Sequence, residues 1–210
     1  MLVVCFVPHV ALIIQNCSIM AQLSQTLDSS LYLDSEMKTL LSFGKLTISL
    51  QDERLVVAQY LQTGLNTDIL RRPFAATDDC FTFMAKQNMQ NHLMTLYHFR
   101  EDLTNIKALD RVETFKRIHI YEDINIDLML FLSRNVKKTT SSLWRQLAAA
   151  SELLNTREHL SISLVLIINI IHINKFELAL ISNIHNHLQF GTNMLNSTIQ
   201  YLEAERIMNE

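Results

Sequence analysis

A chain of 210 residues with 49% hydrophobic and 19% charged residues can bury a hydrophobic core, which excludes an intrinsically disordered protein. Its three glycines and two prolines are far fewer than the roughly 15 and 10 expected at this length, which argues against turn-rich β architectures. The formal net charge of −3 and the scattered Lys and Arg residues argue against a nucleic-acid-binding surface.

The N-terminal segment Leu2–Ile14 is apolar and has the length of a signal peptide. No Lys or Arg precedes it and a Pro-His pair interrupts it, so we interpret it as a buried first segment of a cytoplasmic protein. The alternative is a secreted protein from which residues 1–21 are removed. The odd number of cysteines, Cys5, Cys17 and Cys80, favours free thiols in a reducing compartment.

Residues 1–73 hold most of the glycine and proline and are predicted to be the more irregular part of the chain. An apolar stripe predicts a helix over Val10–Leu33, and a shorter helix is predicted over Glu36–Phe43, where Gly44 ends it in the left-handed conformation. The alternating pattern of Lys45–Leu50 favours a short strand or an extended linker.

The next elements are predicted from residues that begin or end helices. Asp52 is the predicted N-cap of a helix over Glu53–Thr63, and Gly64 is its predicted end. Because the residue before a proline disfavours the helical region, we predict a loop over Leu65–Ala76, around Pro73.

Residues 74–190 contain neither glycine nor proline, and such a stretch predicts long helices joined by polar turns. The polar residues 77–79 are predicted to cap a helix that runs to about Leu109. The segment Asp110–Arg117 either continues this helix or begins a new one.

Two more helices are predicted before residue 155. Asp123 is the predicted N-cap of a helix over Ile124–Val136. The polar turn Thr139–Ser142 is then predicted to begin a helix over Leu143–Leu154, whose leucines have heptad spacing.

The last third is predicted to contain the central helix of the fold. Asn155–Thr156 is the predicted cap of a helix over Arg157–Phe190, which Gly191 ends before a last helix over Thr192–Glu210. Its most apolar part, Leu160–Ile173, is shorter than the roughly 20 residues that cross a bilayer, so we predict a core helix and no transmembrane span. Its many β-branched residues keep a buried strand as the alternative.

Few residues in the sequence point to chemistry. Adjacent carboxylates such as Asp78 and Asp79 can bind a divalent cation, but no further ligands are spaced around them, so we interpret them as helix-capping residues. No two histidines stand four residues apart, the spacing typical of a helical zinc site. We interpret His172, within the apolar segment, as a core histidine. The eight histidines are His9, His92, His98, His119, His159, His172, His185 and His187.

Together these features predict an all-α fold, a bundle of about five to seven helices in a single domain over residues 1–210. No glycine-rich phosphate loop occurs, and we predict no catalytic, cofactor-binding or metal-ligating residue. We predict a non-enzymatic intracellular adaptor, effector or regulator that binds another protein through an amphipathic helix face, with homo-oligomerisation as a further option and no nucleic-acid partner. Two alternatives stay open, a secreted four-helix-bundle ligand of the cytokine type and an all-α metal-dependent enzyme using Asp78 and Asp79.

Overall fold

The computed structural model describes residues 2–64, 66–84, 90–105, 111–138, 144–173 and 177–209. Within these ranges the backbone alone is described for residues 2–11, 13, 33, 36, 83–84, 90, 111–112, 137–138, 172–173 and 204–209. These ranges contain no strand, which confirms the predicted all-α class. The helices are α1 (Leu2–Thr63), α2 (Asp68–Met84), α3 (Gln90–Thr104), α4 (Arg111–Lys116), α5 (Ile120–Lys138), α6 (Trp144–Ile173) and α7 (Leu178–Asn209), with a short 3-10 turn at Arg117–His119.

The contacts between residues divide the chain into two units, residues 1–41 and 42–210. The first unit consists of the N-terminal part of α1, on which Leu12, Leu23 and Leu27 are exposed. The side chains of residues 2–11 lie outside the described part, so the predicted signal-like character of Leu2–Ile14 stays a prediction. Among the described helices, none combines the length and the apolar character that a membrane crossing requires.

In the second unit, the part of α1 from residue 46 to residue 61 lies deepest in the core. Its buried side chains cover about half of the helix circumference at 100° per residue. They are Leu46, Thr47, Leu50, Gln51, Glu53, Arg54, Val57, Ala58, Tyr60 and Leu61. Four of these ten are polar or charged, and three of them, Gln51, Glu53 and Arg54, lie in the middle of the stretch, so the core of this unit contains a polar interior.

Side-chain contacts give the direction of each neighbour of α1. Helix α5 runs antiparallel to α1, since Phe43 stacks on Phe131 at 4.2 Å and the Tyr121 hydroxyl donates to Glu53 at 2.7 Å. Helix α6 runs parallel to α1 and is hydrogen-bonded to it at two levels, one at residues 51 and 158 and the other at residues 62 and 169. Helices α6 and α7 form an antiparallel hairpin.

Two of the three glycines lie inside helices, so the predicted helix ends at Gly44 and Gly191 were wrong. At Gly191, where α7 contacts α6, an added Cβ would lie 3.5 Å from the carbonyl oxygen of Thr156, which is an ordinary van der Waals distance. Gly64 does end α1 as predicted, with a φ of 66° and its N–H bonded to the carbonyl of Tyr60 at 3.0 Å.

Several predicted boundaries were wrong in the same way, because the helices continue through them. Lys45–Leu50 is helical and not extended, and Asp52 lies within α1 rather than at a helix start. Helix α2 already begins at Asp68, with Pro73 inside it, so residues 77–79 do not cap it. The predicted continuation of that helix to about Leu109 was also wrong, because α3 ends at Thr104, while residues 85–89, between α2 and α3, lie outside the described residues.

The predicted cap at Asn155–Thr156 lies in the middle of α6. The Thr156 hydroxyl donates to the carbonyl of Glu152 one turn earlier, as the Thr77 hydroxyl donates to the carbonyl of Pro73. A threonine bonded in this way is compatible with a continuous helix. The predicted turn at Thr139–Ser142 falls outside the described residues.

The segment Leu160–Ile173 is helical, which decides between the predicted helix and the alternative strand. It is buried on one side only. Ile162, Val165 and Ile170 lie in the core, whereas the side chains of Leu164 and Ile171 are 48% and 73% exposed. The segment is therefore an outer helix of the unit rather than its centre, and the side chain of His172 is not among those described.

Candidate functional site

The core of the second unit contains a buried carboxylate that joins three helices. Glu158 of α6 accepts hydrogen bonds from Arg54 Nη1 at 2.6 Å, from Gln51 Nε2 at 2.9 Å and from Asn125 Nδ2 at 2.8 Å. Gln51 and Arg54 are three residues apart on α1 and so share one face, and Asn125 comes from α5. All four side chains are at most 2% exposed. We call them the Glu158 cluster.

Arg54 has hydrogen-bonding capacity that the described residues do not use. Only its Nη1 atom has a partner, while Nε and Nη2 are buried and have none among those residues. Buried donors are nearly always satisfied, because an unpaired one costs about 1–3 kcal/mol. Nε and Nη2 form one edge of the planar guanidinium, with two parallel N–H bonds. That edge is the one that binds planar oxyanions through two hydrogen bonds.

Other polar atoms of the same region also lack partners within the described part of the chain. They are Oε1 of Gln51, Oδ1 of Asn125 and Oγ of Ser161. Ser161 follows Glu158 by three residues on α6, so both lie on one face of that helix. Unsatisfied polar groups concentrated in one buried region are typical of a site that binds water or a polar ligand.

A second buried ion cluster lies beside the first, because Glu53 precedes Arg54 on α1. Arg100 of α3 binds Glu53 in a bidentate manner, with Nε–Oε1 at 2.8 Å and Nη2–Oε2 at 2.5 Å. Tyr121 donates to Glu53, and Arg100 Nη1 donates to Asp78 at 2.5 Å. We call Glu53, Asp78, Arg100 and Tyr121 the Glu53 cluster.

Both titratable donors of the Glu53 cluster have shifted pKa values. Burial alone would lower the pKa of Arg100, but its hydrogen bonds and charge interactions with Glu53 and Asp78 outweigh burial and raise that pKa above its ordinary value. Burial, followed by the charge and the hydrogen bond of Glu53, raises the pKa of Tyr121. Arg100 therefore stays charged and Tyr121 stays a hydroxyl donor.

The two buried arginines thus differ in function within the core. All three nitrogens of Arg100 are engaged with carboxylates, so it holds structure together. Arg54 uses one nitrogen of three and keeps a complete bidentate edge. Of these two side chains, Arg54 is the one that can accept a ligand.

A pair of histidines joins α6 to α7 next to the Glu158 cluster. Nδ1 of His159 lies 2.9 Å from Nδ1 of His187, and the His159 ring stacks on Phe190 with centroids 5.7 Å apart. Partial burial, and then the charge of His187, lower the pKa of His159 below its ordinary 6.5, although neighbouring Glu158 acts in the opposite direction. The folded chain therefore favours a neutral His159.

The lowered pKa of His159 predicts that the folded chain loses stability in mild acid. As the pH falls through about 6.5, His159 of the unfolded chain binds a proton that the folded chain binds only at lower pH, so the free energy of unfolding decreases. Urea unfolding of the wild type between pH 7 and pH 5 measures this decrease. In a His159→Phe variant, which keeps a ring against Phe190, we expect a shallower decrease, and an unchanged slope would contradict the assignment.

The candidate metal residues do not form a metal site in the described part of the chain. Asp78 is half-buried and paired with Arg100, and Asp79 is exposed. The described residues contain no group of three or more His, Cys, Asp or Glu arranged to hold a metal ion. The histidine spacing in the sequence gave no sign of the pairing of His187 with His159 across the hairpin.

A cleft of about 470 Å³ lies between α5, α6 and α7, where Trp144 and Tyr201 form an edge-to-face pair. Glu152 is the single charged residue among its described lining. A negative charge at this position disfavours a bound anion, so the cleft, unlike the Arg54 edge, is unsuited to an anion.

The sequence missed the Glu158 cluster, although one signal was available. On α1 the buried apolar residues Leu46, Leu50, Val57 and Leu61 are separated by four, seven and four residues, and Arg54 divides the step of seven into four and three. An arginine inside an apolar stripe is rarely buried unless it is paired.

Comparison with known proteins adds the family. Residues 45–208, most of the chain, match the profile of the NIT family, which is described as nitrate and nitrite sensing. The chain belongs to this nitrate- and nitrite-sensing family. No curated protein and no solved structure matches it. The NIT match includes Arg54, Arg100 and Glu158.

Membership of the NIT family corrects the predicted function. A family of nitrate and nitrite sensors is not a family of intracellular adaptors, so the predicted non-enzymatic protein-interaction module was wrong. The same assignment replaces the cytokine-like ligand and the metal-dependent enzyme, for which the sequence had offered no motif. The all-α prediction is compatible with the NIT assignment and stands.

Proposed function

We propose that this chain senses nitrate or nitrite by binding the anion in its helical core, at the Nε–Nη2 edge of Arg54. The single observation that carries this proposal is a buried guanidinium whose bidentate edge has no partner among the described residues. Nitrate and nitrite are planar, carry one negative charge and present two oxygens side by side. They therefore match that edge as a carboxylate does.

The same geometry supplies a way to report binding. A bound anion would share Arg54 with Glu158, so two negative charges would compete for one guanidinium in a region of low dielectric constant. Glu158 connects α6 to both α1 and α5 through its hydrogen bonds. Weakening the Arg54–Glu158 pair would change the connection between these helices, which is a switching element of the kind that a sensor needs.

The test is a titration of the purified full chain with sodium nitrate and sodium nitrite, with sodium chloride at equal ionic strength as the control. A ligand that binds only the folded state stabilises it by about 2.7 kcal/mol at 100 times its Kd. We expect saturable heat in calorimetry and a rise in the unfolding temperature with nitrate or nitrite. An equal response to chloride, or no response to either oxyanion, would overturn the proposed function.

A further inference from the structure

Helix α7 carries an exposed apolar stripe with heptad spacing. Positions 178, 181, 185, 188, 192, 195, 199 and 202 follow steps of three and four residues, and six of these eight positions are Leu or Ile. All six are between 40% and 82% exposed, and they are Leu178, Ile181, Leu188, Leu195, Ile199 and Leu202. Such a repeat is typical of a helix that packs lengthwise against another helix.

Helix α6 carries a second exposed stripe of the same kind. Leu153, Leu160, Leu164, Ile167 and Ile171 are separated by seven, four, three and four residues, and each is between 36% and 73% exposed. The core of the second unit therefore leaves apolar surface uncovered on both helices of the hairpin.

The two stripes lie on the same side of the α6–α7 hairpin. The contacts between the helices include Thr156, His159 and Leu160 on α6 and His187 and Gly191 on α7. At 100° per residue, the centre of each stripe lies about 80–90° around its helix from the midpoint of Thr156 and His159 or of His187 and Gly191, in the same rotational sense. Because the two helices are antiparallel, stripes displaced by similar angles in the same sense around each helix axis lie on the same side of the hairpin. The two stripes together form one face. We call it the hairpin face.

The hairpin face is almost free of charge, with Arg157, which lies between Leu153 and Leu160 on the α6 stripe and pairs with Asp52, as its charged residue among those described. Residues 178–202 and residues 160–173 contain no Asp, Glu, Lys or Arg. An exposed helix normally carries charged residues on its solvent side. A charged partner would find no counter-charge along residues 160–173 and 178–202, whereas an identical apolar face is complementary to these residues in both composition and heptad spacing.

The area of the face is sufficient for a dimer. A fully exposed Leu or Ile side chain contributes on the order of 100 Å² of apolar surface. Eleven such residues at about half exposure give on the order of 500 Å² per copy, or about 1,000 Å² for two copies. That total, before any polar rim is added, reaches the size that distinguishes a biological interface from a chance contact.

We infer that the chain forms a homodimer in which the hairpin faces of two copies pack together as a four-helix bundle around a two-fold axis. Helices α6 and α7 of one copy contact the same helices of the other, which is the isologous arrangement usual for homodimers. The inference depends on the exposed heptads alone and not on the proposed anion site.

The test compares the full-length wild type with two double variants of equal charge change. Leu188→Glu with Leu195→Glu places two carboxylates in the hairpin face, and Asn186→Glu with Asn193→Glu places two on the polar side of α7 at the same seven-residue separation. Light scattering after size exclusion measures the mass, and circular dichroism measures folding. We expect a dimeric wild type, a folded monomeric face variant and a dimeric control. A monomeric wild type, or a face variant that is still dimeric, would overturn the inference.

A measurement on the wild type alone covers the case in which the face variant does not fold. Amide hydrogen exchange is measured on the same protein at a low and at a high protein concentration. We expect protection of residues 160–171 and 178–202 to rise with concentration more than that of residues 46–61, which are already in the core. Equal protection of the hairpin at both concentrations would contradict the dimer.

Discussion

An Arg54→Lys variant is expected to lose about 10- to 100-fold in affinity for nitrate. Lysine keeps a positive charge that can pair with Glu158, but it has no planar edge with two parallel N–H bonds. A hydrogen bond to a charged group contributes about 1.5–3 kcal/mol, and about 1.4 kcal/mol corresponds to a factor of ten in affinity. Calorimetric titration of the variant with sodium nitrate measures the loss.

Arg157→Lys is the matched control for this variant. Arg157 lies beside Glu158 on α6 and pairs with Asp52 at 2.6 Å. Both members of that pair, Arg157 and Asp52, are substantially exposed. The chemical change is the same, so only the buried position distinguishes the two variants. We expect wild-type affinity in Arg157→Lys, and equal losses in both variants would mean that general charge, rather than the Arg54 edge, attracts the anion.

The largest effect on stability is expected from Arg100→Met, which leaves the buried carboxylate of Glu53 without its cation. Removing one partner of a buried ion pair costs about 3–5 kcal/mol. Glu53 is fully buried and Arg100 is 5% exposed, so solvent cannot replace the lost interaction. Urea unfolding of the wild type and the variant measures the difference in free energy.

Two further variants show whether this loss comes from an unpaired charge. In Arg100→Met with Glu53→Met both charges are absent, and we expect part of the stability to return, because an apolar pair can replace a buried ion pair at little cost. Arg71→Met removes an exposed arginine and is expected to change stability by less than about 0.5 kcal/mol. A loss below about 1 kcal/mol in Arg100→Met would contradict the structural role of the Glu53 cluster.

The helical class followed from the sequence, but the helix boundaries did not. The scarcity of glycine and proline over residues 74–190 correctly indicated long helices. Gly44, Gly191 and Thr156 were misjudged because each residue type has two uses, one at a helix end and one inside a packed helix. Contacts with helices that are distant in the chain decide between the two uses, and a single chain read in order does not contain that information.

The candidate site was harder to predict from the sequence than the helix boundaries. Glu158 stands 104 residues from Arg54 in the chain, and the two meet only because α1 and α6 run parallel. In the sequence, Arg54 and Arg157 are both arginines on predicted helices. Burial separates them in the structure, since Arg54 is 2% exposed and Arg157 pairs at the surface. The one local sign of this difference in the sequence was the position of Arg54 within the apolar stripe of α1.

The most direct measurement is the NMR signal of the Arg54 Nε–Hε group in the chain labelled with ¹⁵N-arginine. The Arg54→Lys variant assigns that signal by its absence. We predict that sodium nitrate shifts this signal and slows its exchange with solvent in a saturable way, while sodium chloride at the same ionic strength leaves it in place. If nitrate binds and the Arg54 signal does not move, the anion binds elsewhere and the proposed site is contradicted.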